Sequence, residues 1–170
     1  MPAGLQPPTV RRARLDGPDA AAVRRLVGDY LGQTEREKAR HLGGIAHPAH
    51  GLPAAYGPEL RDPAAAYAGA AVYLAEIDGE PVGVAILNRV GPFLEIKRLW
   101  ADPAARGRGV GGALLDTVVA AGPGVVRLSV WDWREAAIKL YASRGFRVVE
   151  SWDGRGRLLC MERHGQVRLL

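Results

Sequence analysis

The sequence predicts a mixed α/β domain built on a twisted, mostly antiparallel sheet with helices on both faces. Three observations carry that prediction. Residues 71 to 87 alternate with period two on either side of Asp78-Gly79, the pattern of an antiparallel hairpin. Two other segments, near 19 to 31 and 110 to 119, repeat apolar residues at three- and four-residue spacing, as helices with one buried face do. Finally, Val125-Val126-Arg127-Leu128-Ser129-Val130 reads as a strand of buried type, with a helix-like and two strand-like segments after it.

In chain order, a Pro-rich start over residues 1 to 8 reads as frayed, and Val10-Arg11-Arg12-Ala13 as a short first strand. Asp16-Gly17-Pro18-Asp19 supplies a turn and a cap. The helix that follows places Ala20, Val23, Leu26, Val27, Tyr30 and Leu31 on one face, which should pack on the sheet. From 32 to 66 the residues Gly43, Gly44, Pro48, Pro53, Pro58 and Pro63 interrupt any long element, although Glu35 to His41 has room for two helical turns. Irregular segments of this kind carry substrate contacts more often than core packing.

The hairpin strands are Val72–Ile77 and Pro81–Leu87, and a further strand runs from Phe93 to Trp100 until Asp102-Pro103 ends it. A glycine-rich turn and the helix bearing Val110, Leu114, Leu115, Val118 and Val119 come next, stopped by Gly122-Pro123-Gly124. After the buried-type strand, a helix over 134 to 143 leads to two last strands, Gly145–Ser151 and Arg157–Glu162. No repeat or composition break divides the chain, so residues 1–170 are expected to form one domain.

Composition narrows the function. Of 170 residues, 48% are hydrophobic and 24% charged, a balance that fits a packed core and excludes a disordered chain. No apolar run approaches the ~20 residues of a membrane-spanning helix, and no basic-then-apolar signal opens the chain, so a cytoplasmic protein without a membrane partner is expected. Cys160 is the only cysteine and the four histidines are scattered, so neither an internal disulfide nor a metal site is expected. The net charge of +5 is spread along the chain without a block of like charges, which argues against a nucleic-acid partner.

The most informative segment is Arg106-Gly107-Arg108-Gly109-Val110-Gly111-Gly112, lying between a strand and an amphipathic helix. The unbonded N–H groups of a helix's first turn, at the positive end of its dipole, attract a phosphate, and glycines let it reach the backbone. Close packing alone is the other use of such a turn. No Gly-Lys-Ser/Thr follows, so it is not a Walker loop, and no βαβ unit leads into it as a dinucleotide fingerprint requires.

With that segment the chain resembles the GNAT superfamily of N-acetyltransferases, whose phosphate-binding motif is Arg/Gln-x-x-Gly-x-Gly/Ala. Arg106, Gly109 and Gly111 match it, and the run from Glu95 to Pro103 looks like that family's fourth strand. Downstream, Ala137-Ile138-Lys139-Leu140-Tyr141-Ala142-Ser143-Arg144-Gly145-Phe146 is similar to its Ala-x-x-Leu-Tyr-x-x-x-Gly-Phe motif. The element order fits across nearly the whole chain.

The resemblance implies a sheet whose fourth and fifth strands splay apart, with the pantetheine arm of acetyl-CoA between them. Backbone groups of Leu99, Trp100 and Ala101 would bond that arm as an added strand would. Arg106, Gly107, Arg108, Gly109, Val110, Gly111 and Gly112 would hold the pyrophosphate. No metal is implied. An acceptor amine would then attack the thioester directly, so a base must take a proton and an acid must supply one to the leaving thiolate.

Glu95 is the candidate base, although Lys97 on the same strand face offers it a purely structural ion pair. Tyr141 is the candidate acid, and its competing use is as a core aromatic. Arg134 stands where many relatives have asparagine, which puts the end of the fifth strand in doubt. Trp100 and Trp131 could wall the pocket or the core, and His41, His47 and His50 fit exposed positions better than catalytic ones.

The acceptor is a primary amine of a small molecule or a peptide, not further specified by the sequence. The competing function is a non-catalytic acyl-CoA-binding or sensor module of the same fold. Paired C-terminal strands offer a possible homodimer seam.

Overall fold

The computed structural model describes residues 4–44 and 52–165. Seven strands form one sheet in the order β1-β2-β3-β4-β5-β7-β6. They are β1 (Thr9–Arg12), β2 (Ala71–Ile77), β3 (Glu80–Val90), β4 (Phe93–Ala101), β5 (Val125–Trp131), β6 (Arg147–Val149) and β7 (Leu158–His164). Every neighbouring pair is antiparallel except β4 and β5, which run parallel. The expected mixed, mostly antiparallel architecture is therefore present, with Asp78-Gly79 turning the β2–β3 hairpin.

Alternation along β2 explains the two layers. Val72 and Leu74 face one way, onto Val23, Leu26 and Val27 of α1 (Asp19–Leu42). Tyr73 and Ala75 face the other way, onto Val110, Leu114 and Val118 of α4 (Val110–Ala120). Helix α5 (Glu135–Ser143) shares the second layer, contributing Tyr141 beside Phe146. Each of these large buried side chains stabilises the fold by about 1.5–3 kcal/mol through removal from water.

Helix α1 is longer than the periodicity suggests. It runs without a break through Gly32 to Leu42, joining the expected helix to the separate turns at 35 to 41. A helical glycine costs only ~1 kcal/mol. Buried Leu31 and Thr34, the Gln33–Glu37 hydrogen bond at 3.1 Å and the Lys38–Glu35 ion pair at 3.1 Å outweigh it. Between α1 and β2 the described chain forms only short pieces: a turn at Ala54–Tyr56, α2 (Gly57–Arg61) and α3 (Pro63–Ala66).

The last two strands are shorter or shifted relative to their apolar runs. Residues Gly145 and Phe146 are used to close α5, where the Phe146 amide donates to the Tyr141 carbonyl at 3.2 Å, so β6 begins only at Arg147. Among the described residues no helix is long and apolar enough to cross a membrane.

Two features of β4 position the site. It pairs with β5 at only three positions, Leu94–Val126, Glu95–Arg127 and Ile96–Leu128, after which the two strands separate. The pairing with β3 also slips there: Leu87 opposes Ile96 and Ile86 opposes Arg98, leaving Lys97 as the extra residue of a bulge.

Candidate active site

The divergence of β4 and β5 opens a cleft of about 720 Å³. It runs from the glycine-rich loop, between the strands, to the C-terminal half of α1. Leu99, Trp100 and Ala101 line it on one side and Ser129, Val130 and Trp131 on the other. No β5 partner bonds β4 beyond Ile96, so the backbone of Leu99 to Ala101 presents an unpaired edge into the gap.

At one end lie Arg106, Gly107, Gly109, Val110, Gly111 and Gly112. The first intrahelical bond of α4 runs from the Ala113 amide to the Gly109 carbonyl at 3.0 Å. The amides of Val110, Gly111 and Gly112 therefore precede the helical ladder and are left as donors. Gly107 and Gly109 both hold φ of +80°, which turns the loop into the helix and is strained for any other side chain. A side chain on either would meet nothing within 4 Å, so the loop faces open space. Arg106 adds charge there, its guanidinium lying 4.9 Å from the Trp100 ring centre.

Arg108 is the exception among the expected cofactor contacts. It does not line the cleft, and its buried Nε has no hydrogen-bond partner among the described residues. Trp100 does line the cleft, and its indole N–H is likewise buried without a partner. The donors open to the cleft are therefore the amides of Val110, Gly111 and Gly112 and the free β4 edge, which suit an acyl carrier with phosphate and amide groups.

Tyr141 reaches the same cleft from α5. It is only 7% exposed, and no described group bonds its hydroxyl. Burial pushes its phenol above the ordinary tyrosine value; nearby Tyr30 adds to the shift and Arg134 opposes it. The phenol stays protonated at neutral pH and faces open volume, as an acid must.

Glu95 is not brought there. It sits where β4 and β5 are still paired and does not line the cleft; its carboxylate lies 3.4 Å from Arg127. That guanidinium is itself held over Phe93 at 4.4 Å and Trp152 at 4.7 Å. The ion pair considered for Glu95 with Lys97 is not formed either, because Lys97 lies 3.6 Å from Glu59 of α2 instead.

The far end of the cleft is built from the C-terminal half of α1, within the 32 to 66 stretch expected to carry substrate contacts, and from the residues between β5 and α5. Glu37 accepts from Arg134 at 2.8 Å, Gln33 at 3.1 Å and Trp133 at 3.3 Å. Burial would raise its carboxyl, but these donors outweigh burial and hold it below the ordinary glutamate value. Arg134, the departure from the asparagine of the resemblance, also donates to Thr34 at 2.9 Å.

Trp131 and Trp133 stack at 4.8 Å, and His41 stacks on Trp133 at 4.5 Å. Trp100 and Trp131 thus both wall the cleft, while His47 and His50 lie outside the described residues. Tyr56 covers another side, its phenol pushed up to about 12 by burial and by its bond to Glu35.

Comparison with known proteins agrees with this fold. Residues 38–146 match the family model described as the acetyltransferase (GNAT) family. Over 102 residues, 57% of its length, the chain is 40% identical to the N-alpha-acetyltransferase RimI of Mycobacterium tuberculosis and spans 61% of that protein. A structure described as a histone acetyltransferase HPA2 and related acetyltransferase from Corynebacterium glutamicum superposes with a TM-score of 0.71 at 22% identity. That match covers 97% of this chain and all of the other. The PaiA N-acetyltransferase of Thermoplasma acidophilum, solved with coenzyme A, superposes at 0.64 with 15% identity, covering 94% and 99%.

Proposed function

The chain belongs to the GNAT acetyltransferase family, and on that premise we propose that it transfers an acetyl group from acetyl-CoA to a primary amine by direct attack. The observation that carries the reading is one continuous cleft joining the free amides of residues 110–112 to Tyr141 through the gap between β4 and β5. The residues there suit the cosubstrate. The loop from Arg106 to Gly112 holds the pyrophosphate on its free amides, and Leu99 to Ala101 bond the pantetheine arm along their free strand edge.

Bound there, acetyl-CoA supplies the thioester: the acceptor nitrogen bonds to its carbonyl carbon, the C–S bond breaks and CoA leaves as the thiolate. Tyr141 acts as the acid that protonates the departing sulfur, since burial keeps its phenol un-ionised until negative charge develops beside it. The walls on either side of the gap fix the acceptor and the thioester in one orientation.

The acceptor must also lose a proton. Glu95 is engaged with Arg127 outside the cleft, and the donors that hold Glu37 below the ordinary glutamate value make it a weak proton acceptor; the proton leaves to water in the open cleft. That route suits an α-amine, with a pKa of about 7.7–8.0, better than a lysine amine near 10.4, because a useful fraction is already unprotonated at neutral pH. The name of the RimI relative, an N-alpha-acetyltransferase, supports the same acceptor class, a peptide N-terminus.

The test is amine-dependent release of free thiol from acetyl-CoA, measured with short peptides bearing free and blocked α-amines. Release that requires the free α-amine supports the proposal; no release above the blocked control contradicts it.

A further inference from the structure

Lys97 is the cation of the cleft that has no carboxylate of its own, sharing Glu59 with Arg98. Four other cations line the walls beyond the phosphate loop, and each has its own carboxylate: Lys38 with Glu35 at 3.1 Å, Arg98 with Glu59 at 2.9 Å, Arg134 with Glu37 at 2.7 Å and Arg155 with Asp153 at 2.8 Å. The Lys97 ammonium makes no hydrogen bond among the described residues. The carboxylate within reach of it, Glu59, is 3.6 Å away.

Glu59 is engaged mainly by other donors. Its side chain is 10% exposed and accepts from Arg98 Nη2 at 2.9 Å, from Arg98 Nε at 3.3 Å and from the Tyr67 hydroxyl. Burial would raise its carboxyl, but the Arg98 and Tyr67 bonds outweigh that and keep it ionised. One negative charge is thus shared between two cations, and a net positive charge is left on the wall. Both cations line the cleft, but Lys97, with a 35% exposed side chain against 17% for Arg98 and three N–H donors, is the more open of the two.

The bulge in β4 creates this arrangement. Strand alternation would send adjacent side chains to opposite faces, yet the register slip lets Lys97 and Arg98 both reach Glu59. It does so at the first residue beyond the last β4–β5 pair, where the splay begins, and two residues before the strand edge assigned to the pantetheine arm.

We infer that Lys97 receives a carboxylate of the acceptor, so that the preferred substrate is a primary amine carrying an acidic group a few atoms from the reacting nitrogen. A peptide with an acidic second residue and a free acidic amino acid share that chemistry. The inference rests on the acetyltransferase reading of the same cleft. Lys97 is a specificity-determining contact here, outside the proton transfers.

The experiment compares kcat/KM for acceptors that differ only in charge: hexapeptides beginning Ala-Asp against Ala-Asn, and free L-aspartate against L-asparagine. A charge-assisted hydrogen bond predicts a preference of about tenfold or more for the acid within at least one pair, and the responding pair identifies the source of the carboxylate. Lys97→Met brings that ratio close to one, mainly through KM, and Lys97→Arg restores most of it. Equal or better use of the amide by the wild type, or a ratio untouched by Lys97→Met, overturns the inference while leaving acetyl transfer intact. No turnover of any acceptor overturns the acetyltransferase reading and this inference with it.

Discussion

Arg134 and Glu37 meet at 2.7 Å across the far end of the cleft, tying the residue before α5 to the C-terminal half of α1. Both side chains are less than one-fifth exposed, and Arg134 also bonds Thr34 and lies 5.2 Å from the Tyr30 ring centre. Removing one partner leaves the other charge half-buried with fewer bonds. Arg134→Ala is therefore expected to destabilise the protein by about 1–3 kcal/mol, visible as a fall in Tm, and to raise the acceptor KM by loosening that wall. Thermal melts and steady-state kinetics check both effects; an unchanged Tm with unchanged KM contradicts the assignment.

Tyr141→Phe removes the hydroxyl and keeps the ring that packs 5.9 Å from Phe146. If that hydroxyl protonates the leaving sulfur, kcat falls by about a hundredfold while acetyl-CoA affinity stays nearly constant. Parallel rate and calorimetric measurements separate the two quantities, and equal losses in both would make Tyr141 a binding residue.

Gly83 on β3 lets α4 lie close to the sheet. A Cβ there would come within 2.6 Å of Val110 Cγ1, 3.0 Å of Leu114 Cδ1 and 3.1 Å of the Trp100 carbonyl. Gly83→Ala is expected to cost about 1–3 kcal/mol through overpacking. Because Val110 begins α4, the same change should displace the phosphate loop and weaken acetyl-CoA binding. Denaturant unfolding and calorimetry on the one variant read out both consequences.

Acid should undo the joint between β1 and α1. Asp19 accepts from Arg11 at 2.7 and 2.8 Å and from the Arg14 amide at 2.7 Å, which lowers its carboxyl to about 2. A carboxyl whose folded value lies below its unfolded one of about 3.9 contributes stability that is full above the unfolded value. That contribution is lost as pH falls through the folded value. Between pH 4 and 2 the wild type should therefore lose Tm more steeply than Asp19→Asn, which already melts lower at pH 7. Parallel slopes for the two proteins would show that Asp19 does not carry this loss.

Much of the architecture was legible because it is written in local pattern. The period-two run around Asp78-Gly79 gives the hairpin, and the Arg106 to Gly112 segment gives a strand-to-helix turn, in which Gly107 and Gly109 adopt positive φ. What stayed hidden depends on distant partners. The apolar face of α1 fades after Leu31, and the pairings that hold Thr34 and Glu37, with Arg134 about a hundred positions away, leave no local trace.

The partner of Glu95 was misread for the same reason. Strand alternation made Lys97 its natural mate, but the parallel register sets Arg127 beside it, and the bulge sends Lys97 to Glu59. The parallel register thus accounts for Glu95, and a slip of one residue in β4 accounts for Lys97. Nothing in the order of residues from Glu95 to Arg98 announces that slip.

Calorimetric titration of acetyl-CoA into the purified protein tests the central claim most directly, with a Gly109→Glu/Gly111→Glu variant and melts of both proteins alongside. The account predicts saturable binding to the wild type, abolished in a variant that still unfolds cooperatively, because carboxylates then occupy the anion-binding turn. No binding to the wild type, or undiminished binding to the folded variant, would contradict it.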